Sequence, residues 1–332
     1  MKSDKEKLNQ IEYNYLPVLN IPLVKNISDI VTSFFKALYL CKSKNDIIIC
    51  DALNISISLG ALFVAKLKKN KIVTIITDIP EMQKTINTSK FKIKCCNFVI
   101  KNSSSYIFLT EQMNDLKNMN HNPYVIIEGL VDVNMRKKEN VLDEKYKNKV
   151  IMYTGGLYKK YGINNLVKGF IKANIYNSEL HIYGNGDYVK ELLGICNLNP
   201  SIKYYGIVPN EVVVEEQLKA TLLVNPRATS EEYTKYSFPS KNMEYMASGT
   251  ATLTTLLPGM PKEYLEFVYL LNNETVEGIS EKLNLLLNLD LIELHKKGHM
   301  AKEFVLKTKN NRNQAKKLID MARTILQMDN QC

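Results

Sequence analysis

The stretch YSFPSKNMEYMASGT, residues 236–250, decides how the chain is read. It has the form of a loop turning into a short helix. Pro239 suits a first helical turn, where a missing N–H costs nothing, with Ser237 or Phe238 as the cap. Gly249 ends the helix because glycine tolerates a left-handed backbone. The first turn carries no acid, only Lys241. A helix N-terminus already bears a partial positive charge, so a cation there is unfavourable unless an anion sits opposite. Glu244 follows within an apolar strip of Met243, Met246 and Ala247. A lysine at a helix start and a carboxylate one turn on suit a phosphate and a hydroxyl. The same spacing also describes a surface helix with one salt bridge.

Outward from this stretch, the second half of the chain alternates regularly. Strands are expected at 150–154, 180–183, 202–205, 222–225, 251–255 and 268–271, and helices at 163–173, 188–196 and 210–219, with three charged helices to 327. Upstream, a helix is expected at 26–40, a strand at 46–50, a helix at 54–69 and a strand at 71–77, with further strands at 105–110 and 123–128. Residues 81–104 read as polar loop and helix. Short apolar strands separated by helices argue parallel sheets covered on both faces. The fold class is therefore α/β with two Rossmann-like domains. The charged, weakly patterned stretch 136–149 places the linker, giving domains 1–147 and 148–332, with the last helix expected to cross back to the first domain.

A length of 332 residues fits two cores better than one. The net charge of +10 is uneven: residues 1–150 hold 23 Lys and Arg against 15 Asp and Glu. That basic half suits an anionic surface, such as a membrane. A lysine-, asparagine- and isoleucine-rich composition also raises charge without any role. Lys66, Lys68 and Lys69 read either as a membrane contact or as a solvated helix end. No aromatic–basic interleaving points to nucleic acid. Six cysteines without a CxxC pair suit a reducing compartment. His295 and His299 are four apart but no third ligand is near, so no metal is expected. No apolar run is long enough to span a bilayer, and the charged start MKSDKEKLNQ has no signal-peptide core. A cytoplasmic location, peripheral on the inner face of the plasma membrane, is expected.

Two glycine pairs follow strands, Gly155-Gly156 and Gly184-Gly186. The first, with Lys159 and Lys160 just behind it, suits close backbone approach to an anion, or an ordinary strand-to-helix turn. Asp78, directly after the strand at 71–77, stands where open α/β sheets place functional acids, or caps a turn.

Five segments occur in order: YTGGLYKKYGINNLVKGF, LHIYGNGDY, IKYYGIVPNEVV, LLVNPR and SFPSKNMEYMASGTATLTT. Together they resemble the nucleotide-sugar half of retaining GT-B glycosyltransferases, specifically family 4 (group 1), over about residues 148 to 310. The resemblance implies transfer of a sugar from a nucleoside-diphosphate sugar, used as co-substrate with no cofactor, to a hydroxyl of a lipid-linked or polysaccharide acceptor. It implies that Glu244 binds the ribose, that the backbone at Ile207 and Val208 meets the base, and that Gly155 and Gly156 approach the diphosphate. Ser237, Phe238, Pro239 and Ser240 would lie against sugar and phosphates.

This chain departs from the family pattern at three places. Tyr236 stands where an acid is usual, Gly156 where an arginine is, and Tyr161 where a lysine is. Lys241 with Lys159 or Lys160, and Arg227 in reserve, are then the candidates for the diphosphate charge, and Asp78 for the sugar or acceptor. Family members also open with an apolar strand and a glycine loop that this chain does not show, implying an N-terminal domain lacking its first strand or strands. These departures leave a second reading open, a non-catalytic nucleotide-sugar-binding protein or partner subunit.

Overall fold

The computed structural model describes residues 5–8, 11–21, 24–82 and 89–328; part of the expected 81–104 loop and helix lies outside them. The chain divides into two compact units. The first is residues 1–127 with 315–332, and the second is residues 128–314.

The first unit opens with a small antiparallel pair, β1 (Lys5–Leu8) and β2 (Ile11–Asn14). It continues through α1 (Val24–Leu40), β3 (Ile47–Asp51), α2 (Ile55–Lys68), β4 (Lys71–Ile76), α3 (Lys90–Lys101), β5 (Ser105–Phe108), α4 (Glu111–Lys117) and β6 (Tyr124–Ile126). The four strands β3-β4-β5-β6 form a parallel sheet in chain order. Leu62, Ala65 and Val99 cover one face, and Met321 and Ile325 cover the other. β3 lies at the sheet edge and leaves Ile49 half exposed. The strand expected over 105–110 stops at Phe108, because the Thr110 hydroxyl accepts from the Met113 amide and caps α4.

The second unit contains β7 (Lys149–Thr154), α5 (Ile163–Ala173), β8 (Ser178–Tyr183), α6 (Val189–Leu198), β9 (Ile202–Gly206), α7 (Asn210–Lys219), β10 (Leu222–Asn225), α8 (Ser240–Ser248), β11 (Thr252–Thr255), β12 (Tyr269–Leu271), α9 (Val276–Leu287) and α10 (Leu291–Thr308). A last helix, α11 (Asn311–Met328), begins here, and from Ala315 its residues belong to the first unit. The six strands are parallel in the order β12-β11-β10-β7-β8-β9. β7 buries Ile151 and Tyr153 toward α5 and α9, and Val150 and Met152 toward the opposite layer. This is the doubly wound α/β arrangement.

Residues 128–147, expected at the end of the first domain, belong to the second unit. Their polar groups explain why. The Val131 amide donates to the Lys309 carbonyl at 3.0 Å. The Asn140 amide donates to the Ser248 carbonyl and the Thr250 hydroxyl, both at 2.9 Å. Lys145 donates to the Leu218 and Ala220 carbonyls. High local charge concealed an anchored segment.

Candidate functional site

In the second sheet the chain runs outward from β7 to β8 and β9, then returns to place β10 on the other side of β7. Strand order reverses there, and parallel sheets take ligands beyond the carboxyl ends of the strands at such a point. The sequence places Gly155-Gly156 directly after β7, Arg227 just after β10, and α8 in the connection from β10 to β11. The main candidate residues therefore gather at the switch point of one sheet.

The glycine turn is held firmly. The Gly155 amide donates to the Tyr183 carbonyl at 2.9 Å, and the buried Tyr153 hydroxyl donates to the Gly156 carbonyl at 2.8 Å. Gly155 has φ +133°, and a Cβ there would lie 1.9 Å from Cε and Nζ of Lys241. The backbone angle requires glycine, and the missing side chain leaves room for the end of Lys241.

Helix α8 is locked in place from beneath. Asn242 accepts from Asn225 at 2.7 Å and donates to the Thr254 hydroxyl at 3.1 Å. The Tyr245 hydroxyl accepts from the Thr154 amide at 2.9 Å. With Asn242 and Tyr245 turned into the sheet, Lys241 and Glu244, three apart, share another face. The helix starts one or two residues later than expected: Pro239 is itself the N-cap and makes no side-chain cap bond. The cap residue thus offers the first amides no side-chain acceptor, and among the described residues the nearby Ser237 hydroxyl is buried without a partner. Gly249 ends the helix at φ +81°, as expected.

Three cations converge here. Lys241 Nζ lies 5.3 Å from the Tyr153 ring and 5.9 Å from the Tyr161 ring. The Arg227 guanidinium lies 4.7 Å from Tyr161 and 5.3 Å from Tyr233. Lys160 Nζ lies 5.5 Å from Tyr161 and 5.9 Å from Tyr233. Among the described residues none of the three forms an ion pair with a carboxylate, whereas Lys159 is bound to Glu191 at 2.6 Å. Burial pushes the Lys241 ammonium down to about 8, the Arg227 charge adds to this, and Glu244 opposes it. Lys241 and Arg227 are partly buried at the site, while Lys160 is exposed.

Glu244 is half-buried and accepts from Gln217 Nε2 at 2.6 Å through one oxygen. Gln217 is fully buried and also reaches the Thr154 hydroxyl at 3.4 Å. One carboxylate oxygen is thus oriented by the fold. Ile207 is 77% exposed, while Val208 packs against the cluster of Met152, Tyr183 and Tyr245.

Some expected residues are used differently. Phe238 is core: its ring lies 4.9 Å from Tyr264, among Met243 and Met246. Pro239 is buried and Ser240 exposed. Asp78 is exposed beyond β4 in the first unit. Lys68 donates to the Leu38 and Cys41 carbonyls, so it secures the end of α1 rather than facing solvent. Sequence reasoning missed Gln217 and the tyrosines. The density of tyrosine around the glycine pair, at 153, 158 and 161, was the available signal. Among the described residues no three His, Cys, Asp or Glu side chains are grouped to hold a metal, and no helix is long and apolar enough to cross a membrane.

Two parallel α/β units, one bearing a cationic glycine turn at its switch point, make up a GT-B-like architecture. The sequence profile of the family described as "Glycosyl transferases group 1" matches residues 134–305, just over half of the chain. The chain belongs to that family. Among solved structures it is similar to sucrose-phosphate synthase from Thermosynechococcus elongatus, with TM-score 0.69, 16% identity, and coverage of 99% of this chain and 86% of that one. It is similar to HepE from Anabaena in complex with UDP, with TM-score 0.66, 13% identity, and coverage of 95% and 85%. The pneumococcal O-GlcNAc transferase GtfA in complex with UDP and GlcNAc has TM-score 0.65 and 15% identity, with coverage of 98% and 70%. At these identities the likeness is one of fold. No curated protein sequence matches the chain.

Proposed function

We propose that the chain transfers a sugar, with retention of anomeric configuration, from a nucleoside-diphosphate sugar to a hydroxyl of a lipid-linked or polysaccharide acceptor. The observation that carries this reading is the set of three cations at the switch point that form no ion pair among the described residues, one of which, Lys241, lies one helical turn from the half-buried Glu244. Lys160, Arg227 and Lys241 meet the diphosphate, with Gly155, Gly156 and the uncapped start of α8 supplying backbone approach. Ser237 and Ser240 flank the same turn. Glu244 accepts from the ribose hydroxyls, a charge-assisted pairing that fixes orientation. Ile207 and Val208 lie along the base.

In the transfer, the bond from the anomeric carbon to the diphosphate oxygen breaks and a bond to the acceptor oxygen forms on the same face. The acceptor proton passes to a departing phosphate oxygen. The negative charge growing on the leaving group is what the three cations stabilise. Lys241 is the catalytic candidate for that task, and Asp78 is the candidate for contact with sugar or acceptor.

The test is incubation with UDP-glucose, UDP-GlcNAc and GDP-mannose, with and without glycan acceptors. Nucleoside diphosphate release and an unchanged anomeric configuration in the product support the reading. Saturable binding without transfer or hydrolysis supports instead a non-catalytic sugar-nucleotide-binding protein or partner subunit, and transfer with inversion contradicts the retaining mechanism.

The acceptor side is proposed to work against an anionic bilayer on its cytoplasmic face. Val24, Ile27, Val31, Phe35 and Tyr39 form an exposed apolar stripe along α1, with Lys42 and Lys44 at its end, as interfacial helices do. Co-sedimentation with phosphatidylglycerol vesicles but not phosphatidylcholine vesicles, abolished by Phe35→Asp, is the expected result; equal recovery without vesicles contradicts it.

A further inference from the structure

The three cations share one ring. Lys160 Nζ, the Arg227 guanidinium and Lys241 Nζ lie 5.5, 4.7 and 5.9 Å from the centre of Tyr161. Tyr233 adds a second ring to Lys160 and Arg227, at 5.9 and 5.3 Å. Like charges brought this close repel, most strongly where water is thin. A carboxylate among them would relieve the repulsion, but it would also cancel the field that an anionic ligand must find. An aromatic face attracts cations through its quadrupole while leaving their charge in place.

Two further observations favour a role for the ring itself. The Tyr161 ring faces the three cations and meets the Tyr158 ring at 5.4 Å, edge-on. Tyr153, which also faces Lys241, is fully buried with its hydroxyl bound to the glycine turn. Tyr153 is thus tied to the backbone of the turn, whereas Tyr161 is a half-buried ring set among the cations.

We propose that Tyr161 is a positioning residue whose ring, not its hydroxyl, spaces Lys160, Arg227 and Lys241 into a cradle fitted to a diphosphate before the donor arrives. The role rests on the diphosphate reading of the site given above. It assigns Tyr161 work through the cations and not contact with the sugar. Tyr233 supports the same arrangement from the Arg227 side.

The experiment compares Tyr161→Phe and Tyr161→Leu in the full chain, titrated with inorganic pyrophosphate and with UDP, alongside thermal denaturation. Tyr161→Phe keeps the quadrupole and is expected to bind within about twofold of the parent. Tyr161→Leu removes it from three cations and is expected to bind both probes about tenfold more weakly. Should the leucine variant fail to fold, Tyr161→Met fills similar volume without a ring and carries the same comparison. Equal weakening by Phe and Leu would assign the effect to the hydroxyl and overturn the proposal, as would unchanged binding by the ringless variants. A parent that binds pyrophosphate but not UDP, with the Phe and Leu variants separated as expected, contradicts the nucleotide reading and leaves the cradle standing. A parent that binds neither overturns both.

Discussion

The second unit holds two clusters of charged side chains built on opposite terms. At Lys309 the cation is paired with carboxylates. Its ammonium, 5% exposed at the side chain, contacts the carboxylate of Glu128 and bonds Glu263 at 2.5 Å. The Tyr264 hydroxyl donates to Glu128 at 2.9 Å. Burial alone raises the Glu128 carboxyl, but its bonds to Lys309 and Tyr264 outweigh this and leave it below the ordinary value. At the switch point, Lys160, Arg227 and Lys241 face rings and, among the described residues, no paired carboxylate. A lysine whose field is cancelled within the fold contributes architecture. Cations whose field is left open are arranged for something that brings its own negative charge.

The comparison can be broken most forcefully at the matched cluster. Lys309→Met leaves the Glu128 carboxylate buried without its counter-ion and is expected to cost about 3 to 5 kcal/mol of stability in urea denaturation. Because the folded Glu128 carboxyl lies below its unfolded value of 4.5, the parent keeps this contribution above that pH and loses it as the carboxyl protonates in acid. Lys309→Met should therefore lose less stability than the parent on acidification. An unchanged urea midpoint would show that the pair is not structural.

Arg227→Ala should behave in the opposite way. It removes a charge-assisted contact to the ligand, an expected loss of about tenfold to a hundredfold in nucleoside diphosphate affinity. Unfolding should move by no more than about 0.5 kcal/mol. Loss of stability comparable to that of Lys309→Met would erase the distinction between the clusters.

Glu244→Ala is expected to weaken nucleoside diphosphate about tenfold while leaving inorganic pyrophosphate unaffected, since its proposed partner is the ribose. Equal weakening of both probes in calorimetric titration would move Glu244 to the phosphate side.

The smallest expected effect is on pH. Lys241 is depressed from 10.5 to about 8. Pyrophosphate affinity should fall severalfold as the pH rises through 8 and the ammonium is lost. Over the same window, 8 to 10.5, the unfolded chain holds the extra proton, so stability of the empty protein should rise. Lys241→Ala should remove the affinity trend and reduce the stability trend, to which the buried Lys145, lowered to about 7, also contributes. A flat affinity profile in the parent would mean that Lys241 does not meet the anion.

Much of the architecture was legible because local signals agreed. α5, α7 and β10 have the bounds their periodicity predicts, since each carries a clean apolar pattern between turns. α4 was concealed behind β5, because Thr110 reads as strand until its hydroxyl is seen capping a helix. In the site, Lys241, Glu244 and the glycine pair were legible from helix position and strand ends. The choice between Lys159 and Lys160 was not: it depends on Glu191, some thirty residues away and brought near by α6. Phe238 shows the same dependence, since only Tyr264 across the core reveals which way it turns. The tyrosine contacts were hidden for a related reason. They join residues around 160 to residues near 227 and 241, which only the sheet's reversal of strand order brings together.

The central claim is that the unpaired cations at the switch point hold the diphosphate of a sugar nucleotide. Calorimetric titration of UDP into the parent and into an Arg227→Gln, Lys241→Gln double variant tests it most directly. Saturable one-to-one binding by the parent, lost in a double variant that still unfolds cooperatively at the parent's temperature, is the predicted result. Unchanged affinity in the folded double variant would contradict the claim.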